Sequence, residues 1–549
     1  VGAKGSAWDY TFIERSLIAG RALWFYTGKL LFPRPIIFIY PRWEISVKTF
    51  WQYLFPLGIL GALAALWFLR KKIGKGPLAC VGFFIITLFP ALGFFNVYPM
   101  LYSFVADHFQ YLASIGLITL FSSILVIIFN SEFLIKSKML VPVSIIIILI
   151  LAILTHKAGE KYKDCETLWR DTLKKNPNAF LAHNNLGTIL TEKGELEKPI
   201  FHFNEALRIN PGYEKAHFNL GVAFSKKGDF ENAALHYKKA IELEPHYTEA
   251  FINLGNLFEA RGETEQAIVF YEKAKQLTPE NPLIFYNLAN ALANRGHYKE
   301  AETNYKKAIQ LNPGHESTLY NLAGVLAEQG KYTEALPFYE KLVVLNPKHA
   351  MAYNNLGNIY SHKGEHEKAI KSYKAALEIK PDNVETWNNL GLILEETGNP
   401  EQAIVHYKKA ISINPKLANV HLNLGDAILR SGQIREAMGE YKKALELKPE
   451  MPAILNKLSW IYATNKNGKI RNAKEAIRLG EKACEITGYN DPVILDTLAA
   501  AYAEGGRFEK AAAMGEKALG LARSRGLTEL AKDIEARIKL FRDKKPFRE

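Results

Sequence analysis

The sequence predicts an all-α protein in which transmembrane helices are followed by a right-handed superhelical solenoid of helical hairpins. Two observations predict it. Prolines recur at a spacing of 34 residues, at Pro177, Pro211, Pro245, Pro279, Pro313, Pro347, Pro381, Pro415 and Pro449, and four apolar stretches crowd the first 155 positions. A fixed period of that length marks a repeat architecture, so a domain count from the length of 549 residues does not apply.

The apolar stretches cover residues 50–69, 77–95, 111–129 and 139–155. At about 1.5 Å of rise per residue, each spans most of a roughly 30 Å hydrocarbon layer. Arg70, Lys71, Lys72 and Lys75 separate the first two and Lys136 and Lys138 the last two, whereas residues 96–110 hold no Lys or Arg. The excess of positive charge on cytoplasmic turns then places the 96–110 loop, the N-terminal segment and everything after Thr155 on the outer side. Residues 12–32 are apolar too, but Glu14, Arg15, Arg21 and Lys29 share one helical face. That favours a helix lying in the interface over a fifth span.

Counting each unit from three residues past its proline, the seventh position is leucine from Leu186 to Leu424 and the eighth is Gly or Ala, as in Gly187, Gly221, Ala289 and Gly391. A small residue there lets the first helix of a hairpin approach a neighbour closely. The second helix carries Ala233, Ala267, Ala301, Ala335, Ala369, Ala403 and Ala437, each with a tyrosine four residues on, from Tyr237 to Tyr441. Gly228 and its counterparts mark the turn between helices, and the proline ends the second one. Thirty-four residues is the tetratricopeptide period.

Eight regular units run over residues 180–451, a ninth has an insertion near 465–471, and a tenth lacks its closing proline. In residues 527–541, Leu530, Ile534, Ile538 and Phe541 have the spacing of a capping helix with one apolar face. Upstream, Cys165, Trp169 and Pro177 fit the second helix of a half-repeat whose first helix would be the last membrane span. The expected organisation is an outer loop with an interfacial amphipathic helix (1–52) and a four-helix transmembrane region (53–156). A tetratricopeptide array of a half-repeat plus about ten repeats (157–525) and a capping helix (526–549) follow.

A formal charge of +13 invites thoughts of nucleic acid. Its distribution argues otherwise: residues 1–157 hold 14 Lys+Arg against 5 Asp+Glu, whereas 158–549 hold 55 against 51, with no basic stripe among the repeats. Cys80, Cys165 and Cys484 form no CxxC pair and imply no disulfide framework. The chain starts at Val1 without a signal-peptide pattern and reads as a fragment.

The sixth position is more regular than packing demands: Asn185, Asn219, Asn253, Asn287, Asn321, Asn355, Asn389 and Asn423. Asparagine is a mediocre helix former, and its carboxamide can pair through both donor and acceptor with one peptide unit of an extended chain. With helices roughly 8–10 Å apart and an extended peptide advancing about 3.3 Å per residue, the ladder could hold roughly 20–25 residues. The competing reading is that these asparagines bond neighbouring helices or water. Asn184, Asn354, Asn388, Asn256, Asn290 and Asn358 add amides nearby, and Phe218, Tyr286 and Tyr320 add apolar platforms. His362 and His366 flank a turn glycine and read as loop histidines, not a metal pair. No phosphate-binding loop or nucleophile elbow occurs, so the array itself reads as non-catalytic and needs no cofactor. Asp107, His108 and Tyr111, at the start of a membrane span, are the remaining candidates for chemistry.

The stretch ADHFQYLASIG, followed by two spans and a repeat array, resembles the transmembrane-and-tetratricopeptide O-mannosyltransferase family and its bacterial relatives, membrane glycosyltransferases of the GT-C class. Asp107, Tyr111, Ile115 and Gly116 match the ADRYxYLPxIG signature, while His108 stands for its Arg and Ala113 for its Pro. The resemblance implies a lipid-linked sugar as a partner, a bacterial inner-membrane location with periplasmic repeats, and a catalytic acidic residue upstream of Val1. The ladder is also similar to the repeats of soluble O-GlcNAc transferase, where it holds peptide backbone. Two functions follow as expectations: a membrane-anchored binder of protein or extended peptide within a glycosyltransferase, or a non-enzymatic membrane scaffold for a protein complex.

Overall fold

A computed structural model gives the fold and describes residues 10–31, 37, 39–92, 113–129, scattered positions between 142 and 156, and 160–549. Every regular element among the described residues is helical. The chain divides into two compact units, Val1–Glu280 and Asn281–Glu549.

The first unit opens with α1 (Phe12–Leu31), α2 (Leu54–Ile73), α3 (Gly76–Leu88) and α4 (Ser114–Phe129). Two glycines set how closely these helices cross. A Cβ on Gly20 of α1 would stand 2.6 Å from the backbone nitrogen of Pro56 in α2, and one on Gly116 of α4 would stand 2.5 Å from the Cys80 carbonyl oxygen in α3. Ala22, Tyr26, Phe84, Leu88 and Leu117 close a small core between them.

Of the charged residues of α1, Glu14, Arg15 and Arg21 are half-buried. Lys29 is buried, with its Nζ 4.9 Å from the centre of the Tyr40 ring, and the Arg21 guanidinium lies 4.5 Å from that of Trp43. Aromatic faces replace water around both cations. The exposed side of α1 carries Phe12, Ile13 and Trp24 instead.

Phe50–Ile73, in which a short 3-10 turn continues into α2, is the one helix among the described residues long and apolar enough to cross a membrane, with 24 residues that include an 18-residue stretch of mean hydropathy 1.7. Leu54, Leu57, Leu60 and Phe68 on it are exposed, and it ends on Arg70, Lys71 and Lys72. Four such spans are expected from the sequence. The 77–95 stretch is helical for only 13 residues before Pro90 enters a 3-10 turn at Phe89–Ala91, about 20 Å of rise where roughly 30 Å is needed. The third stretch gives the 16-residue α4. The fourth and the 96–110 loop, with Asp107, His108 and Tyr111, lie wholly or largely outside the described residues.

Helical hairpins make up the rest. The first unit holds the helix Cys165–Lys175 and three hairpins between Phe180 and Leu277, and the second unit holds five regular hairpins between Pro282 and Leu447. Two less regular ones, Pro452–Thr464 with Ala473–Ile486 and Pro492–Glu504 with Phe508–Ser524, precede the last helix, Thr528–Arg542. Each turn within a regular hairpin uses a left-handed residue, for example Gly228 at φ 83°. The residue before each closing proline is extended, as at Asn210 and Glu244 with φ −133°, because the proline ring disfavours the helical region there.

The small eighth position is a seat for the unit's own tyrosine. A Cβ on Gly255 would meet the Tyr271 ring at 2.5 Å, and one on Gly425 the Tyr441 ring at 2.6 Å. The ring therefore lies flat against the first helix, and all seven tyrosines are at most 3% exposed. In the last helix Ile534, Ile538 and Phe541 are buried.

The half-repeat helix packs against Phe180–Glu192. The membrane-proximal segment is tied to it by Ile39, which packs on Ala179 and Ala182 and whose carbonyl accepts from Asn176 Nδ2 at 3.1 Å. The expectation that the last span supplies the first helix of this half-repeat falls on residues outside the described ones.

Candidate functional site

The eight ladder asparagines occupy equivalent places on the first helices and are all half-buried. In the first unit, Asn185 accepts from Asn184, Asn219 Nδ2 donates to Asn184 Oδ1 at 2.9 Å, and Asn253 is hydrogen-bonded to Tyr237. In the second unit, Asn287 is also engaged. Asn321 donates to Asn290 Oδ1 at 2.8 Å, Asn355 to the Tyr339 hydroxyl at 2.9 Å, Asn389 to Asn358 Oδ1 at 3.1 Å and Asn423 to Asn388 Oδ1 at 2.9 Å. Each of these acceptors belongs to the preceding hairpin. The same amides at the ninth position also accept from the seated tyrosine, as Asn256 does from Tyr271 at 2.7 Å and Asn358 from Tyr373 at 2.8 Å.

This geometry matches the reading in which the asparagines bond neighbouring helices. In Asn219, Asn321, Asn355, Asn389 and Asn423 one N–H of the carboxamide is committed to the preceding hairpin, which fixes the rotamer. Among the described residues Asn389 and Asn423 make that one bond, so the carbonyl oxygen and the second N–H of each are available to a ligand. The flanking Phe218, Tyr286 and Tyr320 each have a ring within 6.3 Å of their unit's seated tyrosine. His362 stacks on Tyr332 at 4.7 Å.

Toward its C-terminal end the face changes from neutral to charged. The ninth position becomes Asp426, which accepts from the Tyr441 hydroxyl at 2.5 Å and pairs with Lys457 at 3.1 Å. Nearby, the half-buried Glu395 accepts from Tyr407 at 2.7 Å, and burial pushes its carboxyl above the usual range.

Sequence reasoning missed two histidine pairs. His183 Nε2–H donates to the Pro177 carbonyl at 3.0 Å, so its Nδ1 carries the lone pair and accepts from His202 Nδ1–H at 3.0 Å. The next hairpin repeats the arrangement with His217, bonded to the Pro211 carbonyl, and His236, again at 3.0 Å. The signal was a 19-residue spacing recurring 34 residues on. Burial and the partner ring push His202 and His236 down to about 4, below the ordinary 6.5. Glu205, Arg208 and Arg170 surround the first pair and Lys239 and Glu242 the second.

A histidine held neutral by folding contributes stability that is full above its unfolded value and is lost as pH falls through 6.5 toward 4. After discounting for partial exposure, about 1 kcal/mol per pair is expected to disappear between pH 7 and pH 5. Hydrogen exchange over 180–243 would report it. The pair His217→Phe with His236→Phe copies Phe251 and Phe270 of the next hairpin, whose rings lie 6.4 Å apart, and should remove the part of the dependence that belongs to the second pair, about half. A dependence of unchanged size would locate the titration elsewhere.

Tetratricopeptide-repeat profiles match residues 314–382, 348–416, 382–450, 214–247 and 282–315, and a TPR repeat profile matches 187–228 and 255–296. This is a tetratricopeptide-repeat protein. Among solved structures, the tetratricopeptide-repeat chain is similar to YrrB, described as having an unusual peptide-binding site (29% identity, 33% of this chain and 94% of that one, TM-score 0.31). It is also similar to MamA from Desulfovibrio magneticus RS-1 (27%, 31% and 95%, TM-score 0.30) and to yeast Tom70 (16%, 71% and 94%, TM-score 0.34). No curated protein matches the chain.

Proposed function

We propose that the protein is a membrane-anchored receptor for extended peptide segments, gripped along their backbone by the asparagine ladder. The observation that carries this is the anchoring of ladder amides to the preceding hairpin at 2.8–3.1 Å, which pre-orients their remaining polar atoms and lowers the entropic cost of binding. Five rungs in the second unit, at roughly 8–10 Å per hairpin, would serve about 15 residues of extended chain. The exposed apolar surface and basic end of Phe50–Ile73 support insertion of that helix into a bilayer.

The test is a chain carrying Asn321→Ala, Asn389→Ala and Asn423→Ala, in detergent, titrated with labelled fifteen-residue peptides selected on the wild type from a random library. At about 1 kcal/mol per hydrogen-bonding group the affinity should fall roughly 100-fold. Unchanged affinity in a variant whose melting curve is intact would reduce the ladder to packing.

A role inside a lipid-linked-sugar glycosyltransferase rests on the ADHFQYLASIG resemblance. In that reading the repeats present acceptor protein on the outer side of the bacterial inner membrane, and their deletion abolishes glycosylation of captured partners. A non-enzymatic scaffold predicts intact glycosylation and lost complexes.

A further inference from the structure

The segment after the last helix folds back onto the hairpins. Lys544 makes the turn at φ 55°, a left-handed conformation that residues other than glycine seldom hold. Pro546 follows, and the Phe547 ring then lies 5.8 Å from that of Trp460, with the Arg537 guanidinium 5.5 Å from both. Trp460 Nε1–H donates to the Glu549 carboxylate, and the Glu549 backbone N–H donates to the Thr464 carbonyl at 2.9 Å. Between Phe547 and Glu549, Arg548 pairs with Glu504 at 2.5 Å and donates to the Ala463 carbonyl at 3.3 Å. This is how a bound peptide is held: an aromatic anchor, charged side chains and a backbone bond.

The surface it covers is an extension of the ladder. Asn456, Lys457 and Trp460 are the fifth, sixth and ninth positions of their hairpin, the places that Leu422, Asn423 and Asp426 hold one unit earlier. Beside the tail a cavity of about 830 Å³ stays open, lined by Leu429, Asn456, Lys457 and Asp533 among others. The carbonyl oxygen of Asn456 is buried there with no hydrogen-bond partner, although buried acceptors are almost always satisfied.

We infer that residues 544–549 are a resident stand-in for a partner peptide, and that this end of the array binds an extended segment in which an aromatic residue is followed two positions later by a carboxylate. The incoming segment displaces the tail, stacks its ring on Trp460 beside Arg537, and supplies a donor to Asn456 Oδ1. The inference rests on the reading of the ladder face as a peptide groove and adds a side-chain preference at its end.

The experiment uses the full chain in detergent and a fluorescein-labelled peptide DKKPFRE, the sequence of residues 543–549. Removing 544–549, or changing Phe547→Ala with Glu549→Gln in the intact chain, should create saturable binding of the peptide in trans. The unaltered chain should bind at least about 10-fold more weakly, because a tethered competitor acts at roughly millimolar effective concentration. Peptides with Ala for phenylalanine or Gln for glutamate should lose about 10-fold, and Trp460→Ala should remove binding. Absence of binding to both opened chains, or equal binding with Trp460→Ala, overturns the inference if circular dichroism shows them folded. The ladder substitutions, placed in the chain that lacks 544–549, separate the two claims: if that chain still takes the tail peptide but loses the library peptides, both stand as distinct subsites. If it keeps both peptides, the ladder reading alone fails.

Discussion

Replacing Arg537 with alanine is expected to cost about 3–5 kcal/mol, the largest effect of any single charge removal in the second unit. Arg537 grips Asp496 through two bonds, 2.8 Å from Nη2 to Oδ2 and 3.1 Å from Nε to Oδ1, with both side chains nearly out of contact with water. Burial pushes the Asp496 carboxyl up to about 6 against the pull of the guanidinium. Without Arg537 the carboxylate is a buried, unpaired charge, so the folded state takes up a proton more readily still. A carboxyl whose folded value is raised stabilises the protonated condition, and stability is lost as pH rises from the unfolded value near 3.9 through the folded one. The Arg537→Ala chain should therefore melt well below wild type at pH 7 and recover part of the deficit at pH 5. Adding Asp496→Leu should restore most of the rest, since the orphaned charge is gone. A variant equally unstable at both pH values would show that the loss comes from the guanidinium's packing between Trp460 and Phe547.

Tyr407→Ala should cost a similar amount, about 3–5 kcal/mol, by leaving a cavity where a wholly buried ring stood. The same contact can be attacked from the facing side. Gly391→Leu drives atoms into the Tyr407 ring, an overpacking expected to cost about 1–3 kcal/mol or more. Gly391→Ala should cost less than Gly391→Leu: its Cβ, set against the Tyr407 ring, forces the ring to shift, as the hairpins with Ala289 and Ala323 in the equivalent seat already accommodate. In a quasi-one-dimensional array the damage stays local. Hydrogen-exchange protection should fall over 384–413 and the adjoining hairpins while that of 180–277 is unchanged. Uniform loss across the chain would mean that the repeats unfold as one body.

The hairpins were legible because their determinants serve every unit. Leucine at the seventh position, the small eighth residue, the alanine and tyrosine of the second helix and the closing proline each solve one steric problem many times over. The partner of the eighth residue was left open: spacing shows that something packs closely there, but only coordinates show that it is the tyrosine of the same hairpin. What the period could not reveal are features used once or twice. The His183–His202 and His217–His236 pairs occur in two hairpins, and the docking of residues 544–549 on Trp460 has no sequence rhythm at all. In the N-terminal part, apolar length predicted four spans. It could not register that Pro90 ends one helix early, or that Tyr40 and Trp43 would cover the cations of α1.

The clasp between a sixth-position amide and the hairpin before it bears on how such a chain changes length. Its two ends sit 31 residues apart in Asn290–Asn321 and Asn358–Asn389, and 35 apart in Asn388–Asn423. Duplicating or excising a 34-residue block within these stretches would keep each amide facing the fifth and ninth positions of the hairpin before it, which offer an acceptor where they are Asn354 or Tyr320 and none where they are Gly324 or Leu392. Growth or shrinkage by whole modules would thus strand few polar groups in the interior, whereas a slip of even one residue would orphan them in series.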